Sequence, residues 1–161
     1  MRAVVQRVKA ARVEVAGEIV GQIEKGLVAF VGLGKGDGEN EAAWLVDKIV
    51  NLRVFEDERG KMNHALADVG GGLLVVSQFT LYGDVRRGRR PGFDDAMPPL
   101  LAETLYDRFV HLARSRHPVV ATGRFRADMR VVVDNDGPVT LLIDTDLLNE
   151  ARAKERSQPS R

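Results

Sequence analysis

Within VVSQFTLYGD, residues 75–84, Ser77, Gln78 and Thr80 interrupt an apolar run of Val, Phe and Leu that is otherwise suited to a core. Two hydroxyls and an amide so close together can hydrogen-bond a carbonyl or an amine, and Thr80 is a formal nucleophile for an ester. Left unpaired in a core, such groups cost on the order of 1–3 kcal/mol each, so they are satisfied by neighbours or reserved for a ligand. In a regular strand over 73–82, Gln78 and Thr80 share one face and Ser77 and Phe79 the other, which gives both faces polarity. One reading makes Thr80 merely β-favouring and gives Ser77 and Gln78 to nearby backbone; the chemical reading needs partners from elsewhere in the chain.

Those partners are few. A general base near neutral pH must be His64, His111 or His117. His111 lies mid-helix between Val110 and Leu112, His117 precedes Pro118 at a helix end, and His64 falls in a polar loop, so each reads as structural or solvent-facing. The carboxylates are dispersed, and neither a GxSxG elbow nor an HExxH pair occurs. With no cysteine, disulfides, thiolate nucleophiles and zinc fingers are excluded, and no metal or cofactor is expected. Net charge is +1, from 24 basic and 23 acidic residues, so a polyanion must be met by a local patch. RRGRRPG offers one: Arg86, Arg87, Arg89 and Arg90 surround Gly88 in a loop that is either solvated surface or a phosphate contact. In NDGP, Asn135, Asp136 and Gly137 resemble a hairpin turn between two apolar strands. Pro138 lacks an N–H where pairing should resume, and an X–Pro bond can be cis, so such a tip could project rigid carbonyls into another surface.

The elements that must position these residues follow from periodicity. Residues 2–33 alternate β-branched runs with turns at Ala16-Gly17 and Glu24-Lys25-Gly26, predicting a meander of about four strands. GLGKGDG lacks the spacing of a phosphate loop and reads as a flexible connection. Asn40 is placed to cap a helix whose stripe is Ala43, Trp44, Leu45, Val46, Ile49 and Leu52, with Trp44 in the core. MPPLLAETLYDRFVHLARSR predicts a second helix, with prolines at its start and Leu101, Leu105, Phe109 and Leu112 recurring. Strands are expected around PVVATGRF and MRVVVDNDGPVTLLIDT, and residues 147–161 are a charged tail with nothing to bury. Strands without regular βαβ alternation predict an α+β fold: one domain over 1–146, with a largely antiparallel, barrel-like sheet and two main helices. No apolar run approaches the roughly 20 residues of a bilayer span, and no leader pattern precedes the first strand, so a cytoplasmic location is expected.

VVSQFTLYGD, RRGRRPGF, TGRFRADM and NDGPVT, in this order and spacing, resemble the D-aminoacyl-tRNA deacylase (D-tyrosyl-tRNA deacylase) family. The resemblance covers about residues 1–145, including RAVVQRV and GKMN, and SQFT together with NDGPVT is more specific than either alone. It implies a hydrolase that cleaves the ester joining a D-amino acid, or glycine mischarged on tRNA(Ala), to the tRNA 3′ end. This is a chiral proofreading step in translation. It implies homodimers in which the Gly-Pro turn, cis in the family and here Gly137 and Pro138, enters the partner's active site and excludes L-residues. Ser77, Gln78, Phe79 and Thr80 then line the pocket, and Phe125 and Met129 border the terminal adenosine, with a core role as the alternative for that pair. Arg86 and Arg87 would meet acceptor phosphates. Arg126 departs from the family pattern, where Gly or Ala is common. Thr80 has no adjacent base, so the resemblance favours assistance by the substrate's ribose 2′-hydroxyl, with the protein orienting the ester and supplying an oxyanion environment. The competing readings are a non-catalytic RNA-binding module and a small-metabolite hydrolase using Thr80.

Overall fold

The computed structural model describes residues 1–147; the charged tail expected at 147–161 lies, from residue 148 on, outside the described residues. The chain opens as a long hairpin. β1 (Arg2–Val15) runs antiparallel to β2 (Glu18–Ile23) and then to β3 (Gly26–Gly32), in unbroken register from Val13↔Gly21 to Arg2↔Gly32. The expected four-strand meander is therefore three strands, because the segment through Lys9 and Ala10 continues extended along a second neighbour and does not turn.

That neighbour is β8 (Arg130–Asp144), which pairs with the other edge of β1. On the far side, β3 pairs in parallel with β6 (Gly72–Ser77), and β6 in parallel with β7 (Val120–Thr122). The sheet is thus antiparallel around β1 with a parallel flank. It curls towards a barrel where β2 meets β7: a side chain at Gly21 would overlap the Thr122 carbonyl. A short hairpin of β4 (Phe55–Glu56) and β5 (Met62–His64) stands apart and carries His64, which had been expected in a loop.

Both faces of β3 and β6 are buried, which is why GLVAFVG and GLLVVS read as nearly continuous apolar runs. Leu27, Ala29, Leu73 and Val75 face a core closed by α1 (Glu39–Val50) and α2 (Pro99–Arg116). Val28, Leu74 and Val76 face a second core with Val8, Ala11 and Val13 of β1. Two sequence expectations for the helices shift by a residue or two. Gly38, not Asn40, occupies the N-cap of α1, and its N–H donates to Glu41 Oε2 at 2.9 Å. α2 buries Ala102, Tyr106, Phe109, Val110 and Ala113, leaving Leu101 63 % exposed, because the small Ala102 lets the helix sit closely on the sheet. Trp44 is only partly buried, beside Lys48.

One backbone carbonyl joins these layers. Val75 O accepts from the buried Tyr106 hydroxyl at 3.1 Å and from Gly123 N–H at 3.0 Å, two residues before Ser77. Burial first, and then Asp107, raises the Tyr106 phenol pKa above its usual value. Replacing Tyr106 with Phe is expected to lower stability by about 1 kcal/mol, measured as a lower urea midpoint at unchanged slope.

Candidate active site

A cleft of ≈ 590 Å³ opens where the carboxyl ends of β3 and β6 meet, floored by Val31, Val76, Ser77 and Gln78. Carboxyl ends of parallel strands are the usual place for a ligand in an open sheet. One wall is the segment before α2, with Phe93, Met97, Pro98 and Pro99; the other follows β7 and includes Phe125, Arg126 and Met129. Among the described residues neither a carboxylate nor a histidine lines it, and Arg126 is the one charged residue that does.

The SQFT segment is not the uninterrupted strand that its composition suggests. β6 ends at Ser77, and after Gln78 N–H donates to Val31 O at 2.8 Å the chain winds into a 3₁₀ turn over Phe79–Tyr82. Strict alternation is lost. Gln78 Nε2 donates to Thr80 Oγ1, Phe79 is 58 % exposed, and its ring meets Phe93 edge-on with centroids 5.0 Å apart. The opening of the turn leaves the Phe79 and Thr80 N–H groups without an intrahelical acceptor. Ser77, Gln78 and Phe79 line the cleft, whereas Thr80 does not.

What holds the turn was missed in the sequence. GLGKGDG is an organised loop, not a flexible one: Asp37 Oδ2 accepts from Gly34 N–H at 2.6 Å and from the Tyr82 hydroxyl at 3.2 Å. Asp37 Oδ1 receives the Met1 amine at 2.5 Å. A Cβ at Gly34 would lie 2.5 Å from the Tyr82 ring, so only glycine fits. Burial, followed by the nearby Asp37, pushes the Tyr82 phenol pKa up. Arg2 stacks on the same ring at 4.5 Å and donates to Leu81 O at 3.1 Å.

Phe125 and Met129 combine core packing with a place in the cleft wall. Phe125 packs on the helical core, 5.5 Å from the Tyr106 ring, and Met129 packs on the other core, yet both line the cleft. The arginine loop springs from the cleft's edge: Asp84 and Gly92 exchange backbone bonds of 2.7 and 2.9 Å, one residue before Phe93. Arg86 turns back onto Asp84 through contacts of 2.9 and 2.8 Å. Its side chain, and then its backbone N–H, hold the Asp84 carboxyl pKa down at about 2.

The NDGP segment is not a hairpin tip. Val8↔Asn135 and Gln6↔Thr140 are both pairs with β1, so the chain never reverses, and Asp136–Val139 bulge opposite the single residue Arg7. The Gly137–Pro138 bond is cis, and Gly137 has φ +121°. Arg7 is buried and grips the bulge, donating from Nε to Asp136 O at 3.3 Å and from NH1 to Val54 O at 2.6 Å. Asn135 Nδ2 closes its base by donating to Val139 O at 3.1 Å. Arg7 was legible in principle, since RAVVQRV puts it in phase with the buried Ala3 and Val5. Gly137 and Pro138 do not line the cleft of their own chain. Arg7 pairs with Leu27 and Leu27 with Leu73, four residues short of Ser77, about 13 Å along the strand.

The near-barrel sheet and the helices that close its core make a single-domain α+β fold with one cleft at the end of β6. The family model for D-Tyr-tRNA(Tyr) deacylase matches residues 4–144. The D-aminoacyl-tRNA deacylase of Sorangium cellulosum is 66% identical over 146 residues, covering 90% of this chain and 97% of that one. That of Thermotoga petrophila is 56% identical over 148 residues, covering 92% and 99%. A solved structure titled c-Myc DNA Unwinding Element Binding Protein superposes with TM-score 0.85 at 41% identity, covering 89% of this chain and 98% of that one. The chain belongs to the D-Tyr-tRNA(Tyr) deacylase family and is an enzyme that hydrolyses an ester bond.

Substituting Arg7 with Met keeps the apolar stem but leaves Val54 O and Asp136 O without their buried donor. A loss of about 2–3 kcal/mol in urea unfolding is expected, with faster amide hydrogen exchange confined to residues around the bulge.

Proposed function

We propose that the protein cleaves the ester of D-aminoacyl-tRNA, and of glycine mischarged on tRNA(Ala), and that it spares L-aminoacyl esters. The observation that carries this reading is the cleft lining, where Ser77, Gln78 and Phe79 meet at the opening of the 3₁₀ turn while, among the described residues, no carboxylate or histidine lines the walls. Such a site can polarise a carbonyl and stabilise an oxyanion but has no proton acceptor of its own. The Phe79 N–H receives the developing negative charge, Ser77 and Gln78 orient the ester and amine, and the ribose 2′-hydroxyl of the substrate assists the attacking water. Thr80 is a poor nucleophile here, since its hydroxyl is engaged by Gln78 and lies outside the cleft walls.

Phe125 and Met129 flank the terminal adenosine. The arginine loop meets acceptor phosphates, with Arg87 reaching outward and Arg86 bracing the loop through Asp84. Chiral selection falls to Gly137 and Pro138 of a second copy. Two features support a homodimer with shared sites: the bulge is remote from its own cleft, and β8 is paired on one edge only while exposing Leu142. Recognition at the α-carbon leaves the amino-acid side chain free, so a fixed backbone carbonyl excludes L-substrates whatever that side chain is. Work on charged tRNA places the protein in the cytoplasm.

Single-turnover deacylation of matched D-Tyr-tRNA and L-Tyr-tRNA tests this. The unmodified protein is expected to release only the D-amino acid. Thr80→Ala is expected to lose less than the roughly 10²-fold that removal of a positioned proton-transfer group costs; a trapped Thr80 acyl-enzyme would refute this mechanism. Gly137→Ala puts a Cβ 3.0 Å from the Arg7 guanidinium at φ +121° and is expected to weaken D/L discrimination. Inertness towards both esters by folded, dimeric protein that still binds RNA would replace the enzyme reading with a binding module. Faster cleavage of simple esters lacking tRNA would favour a metabolite hydrolase.

A further inference from the structure

Arg126 is the one charged residue among the described residues that lines the cleft, and it stands where an arginine is unfavourable. Ala127 N–H donates to Arg124 O at 3.2 Å, closing a turn in which Arg126 takes the third position with φ +59°. That position of a turn with one left-handed residue favours glycine, and a residue carrying Cβ costs roughly 1–2 kcal/mol there. No contact among the described residues offsets the cost. Arg130, on the same segment, is tied to Glu14, but Arg126 is exposed and makes no ion pair or side-chain hydrogen bond among the described residues. Arg126 therefore lines the cleft with its guanidinium unpaired among the described residues, and none of those residues brings a carboxylate to the cleft lining.

We propose that Arg126 is a substrate-binding residue that grips the phosphodiester on the 5′ side of the terminal adenosine. The inference rests on the reading of the cleft as the site for an aminoacylated RNA end. It follows from adjacency: Arg126 lies between Phe125 and Met129, two cleft-lining residues that the proposed function sets against the terminal adenosine. A nucleoside seated on that wall carries its phosphate at its 5′ edge, and a planar guanidinium suits a phosphate's paired oxygens. The residue thus contributes to ground-state affinity for every acyl group and not to the chemical step. A side-chain carboxylate of D-Asp or D-Glu is the other anion that could reach this cation, and the test separates the two.

The experiment compares the unmodified protein, Arg126→Gly and Arg126→Lys on D-Tyr-tRNA, on D-Asp-tRNA and on the D-Tyr ester of adenosine, which has no phosphate. Glycine suits φ +59°, so the first variant is expected to fold at least as well as the parent. Arg126→Gly is expected to raise KM for both tRNAs by about tenfold at low salt with kcat held, and to reduce the slope of log KM against log salt by about 1. The phosphate-free ester is expected to respond equally to all three proteins, and Arg126→Lys to recover part of the affinity. An unchanged KM for D-Tyr-tRNA, an equal rise for the phosphate-free ester, or an effect confined to D-Asp-tRNA would each overturn the assignment. Failure of the unmodified protein to cleave any of these would instead count against the proposed function. Filter binding of D-Tyr-tRNA over a salt series then decides on Arg126, with equal slopes for parent and variant rejecting it.

Discussion

Pairing along both edges of β1 is the constraint from which the arrangement of the molecule follows. One edge carries β2 and β3 in a register that is constant from Val13 to Arg2, and the other carries β8 with a bulge of Asp136–Val139 opposite Arg7. Because register along β1 also fixes β3 against β6, the position of Gly137 relative to Ser77 is set through three strand pairings, with no flexible joint between them. A one-residue slip anywhere in that ladder would exchange the faces of a strand and expose one of the two cores.

The two cores divide the labour. The helical core supports the floor from beneath, through Tyr106 and Phe109, while the barrel-side core reaches the cleft wall through Met129 and Val131. Their meeting point is the end of β6, where apolar packing stops and exposed N–H groups begin. Arg7 and Asp37 are the polar counterparts of this packing. Each is a charged group placed among backbone atoms that it satisfies, one at the bulge and one behind the 3₁₀ turn. Buried charge of this kind costs desolvation, and it persists because its hydrogen bonds are nearly complete.

Much of this was legible in the residues. The α+β class, the barrel-like sheet and the two main helices agree with sequence reasoning, whereas the parallel flank of β3, β6 and β7 was not expected; Ser77, Gln78, Phe79, Phe125 and Met129 line one cleft. The failures have a common origin in non-local information. NDGP has the composition of a hairpin, and only the fact that both flanks pair with β1 makes it a bulge. SQFT has strand composition, and only the end of β3 at Gly32 stops its pairing and lets it coil. The role of Asp37 depends on Tyr82, 45 residues away, which no local window connects. Arg86 is the exception, since its partner Asp84 lies two residues before it and could have been paired with it from the sequence.

The composition of the cleft walls has an electrostatic corollary. Carboxylates and imidazoles are the groups whose charge ordinarily changes between about pH 4 and 7, and neither type lines the cleft. An arginine keeps its charge across that whole range. Among the described residues, the cleft lining itself therefore brings no carboxylate or imidazole into contact with whatever enters.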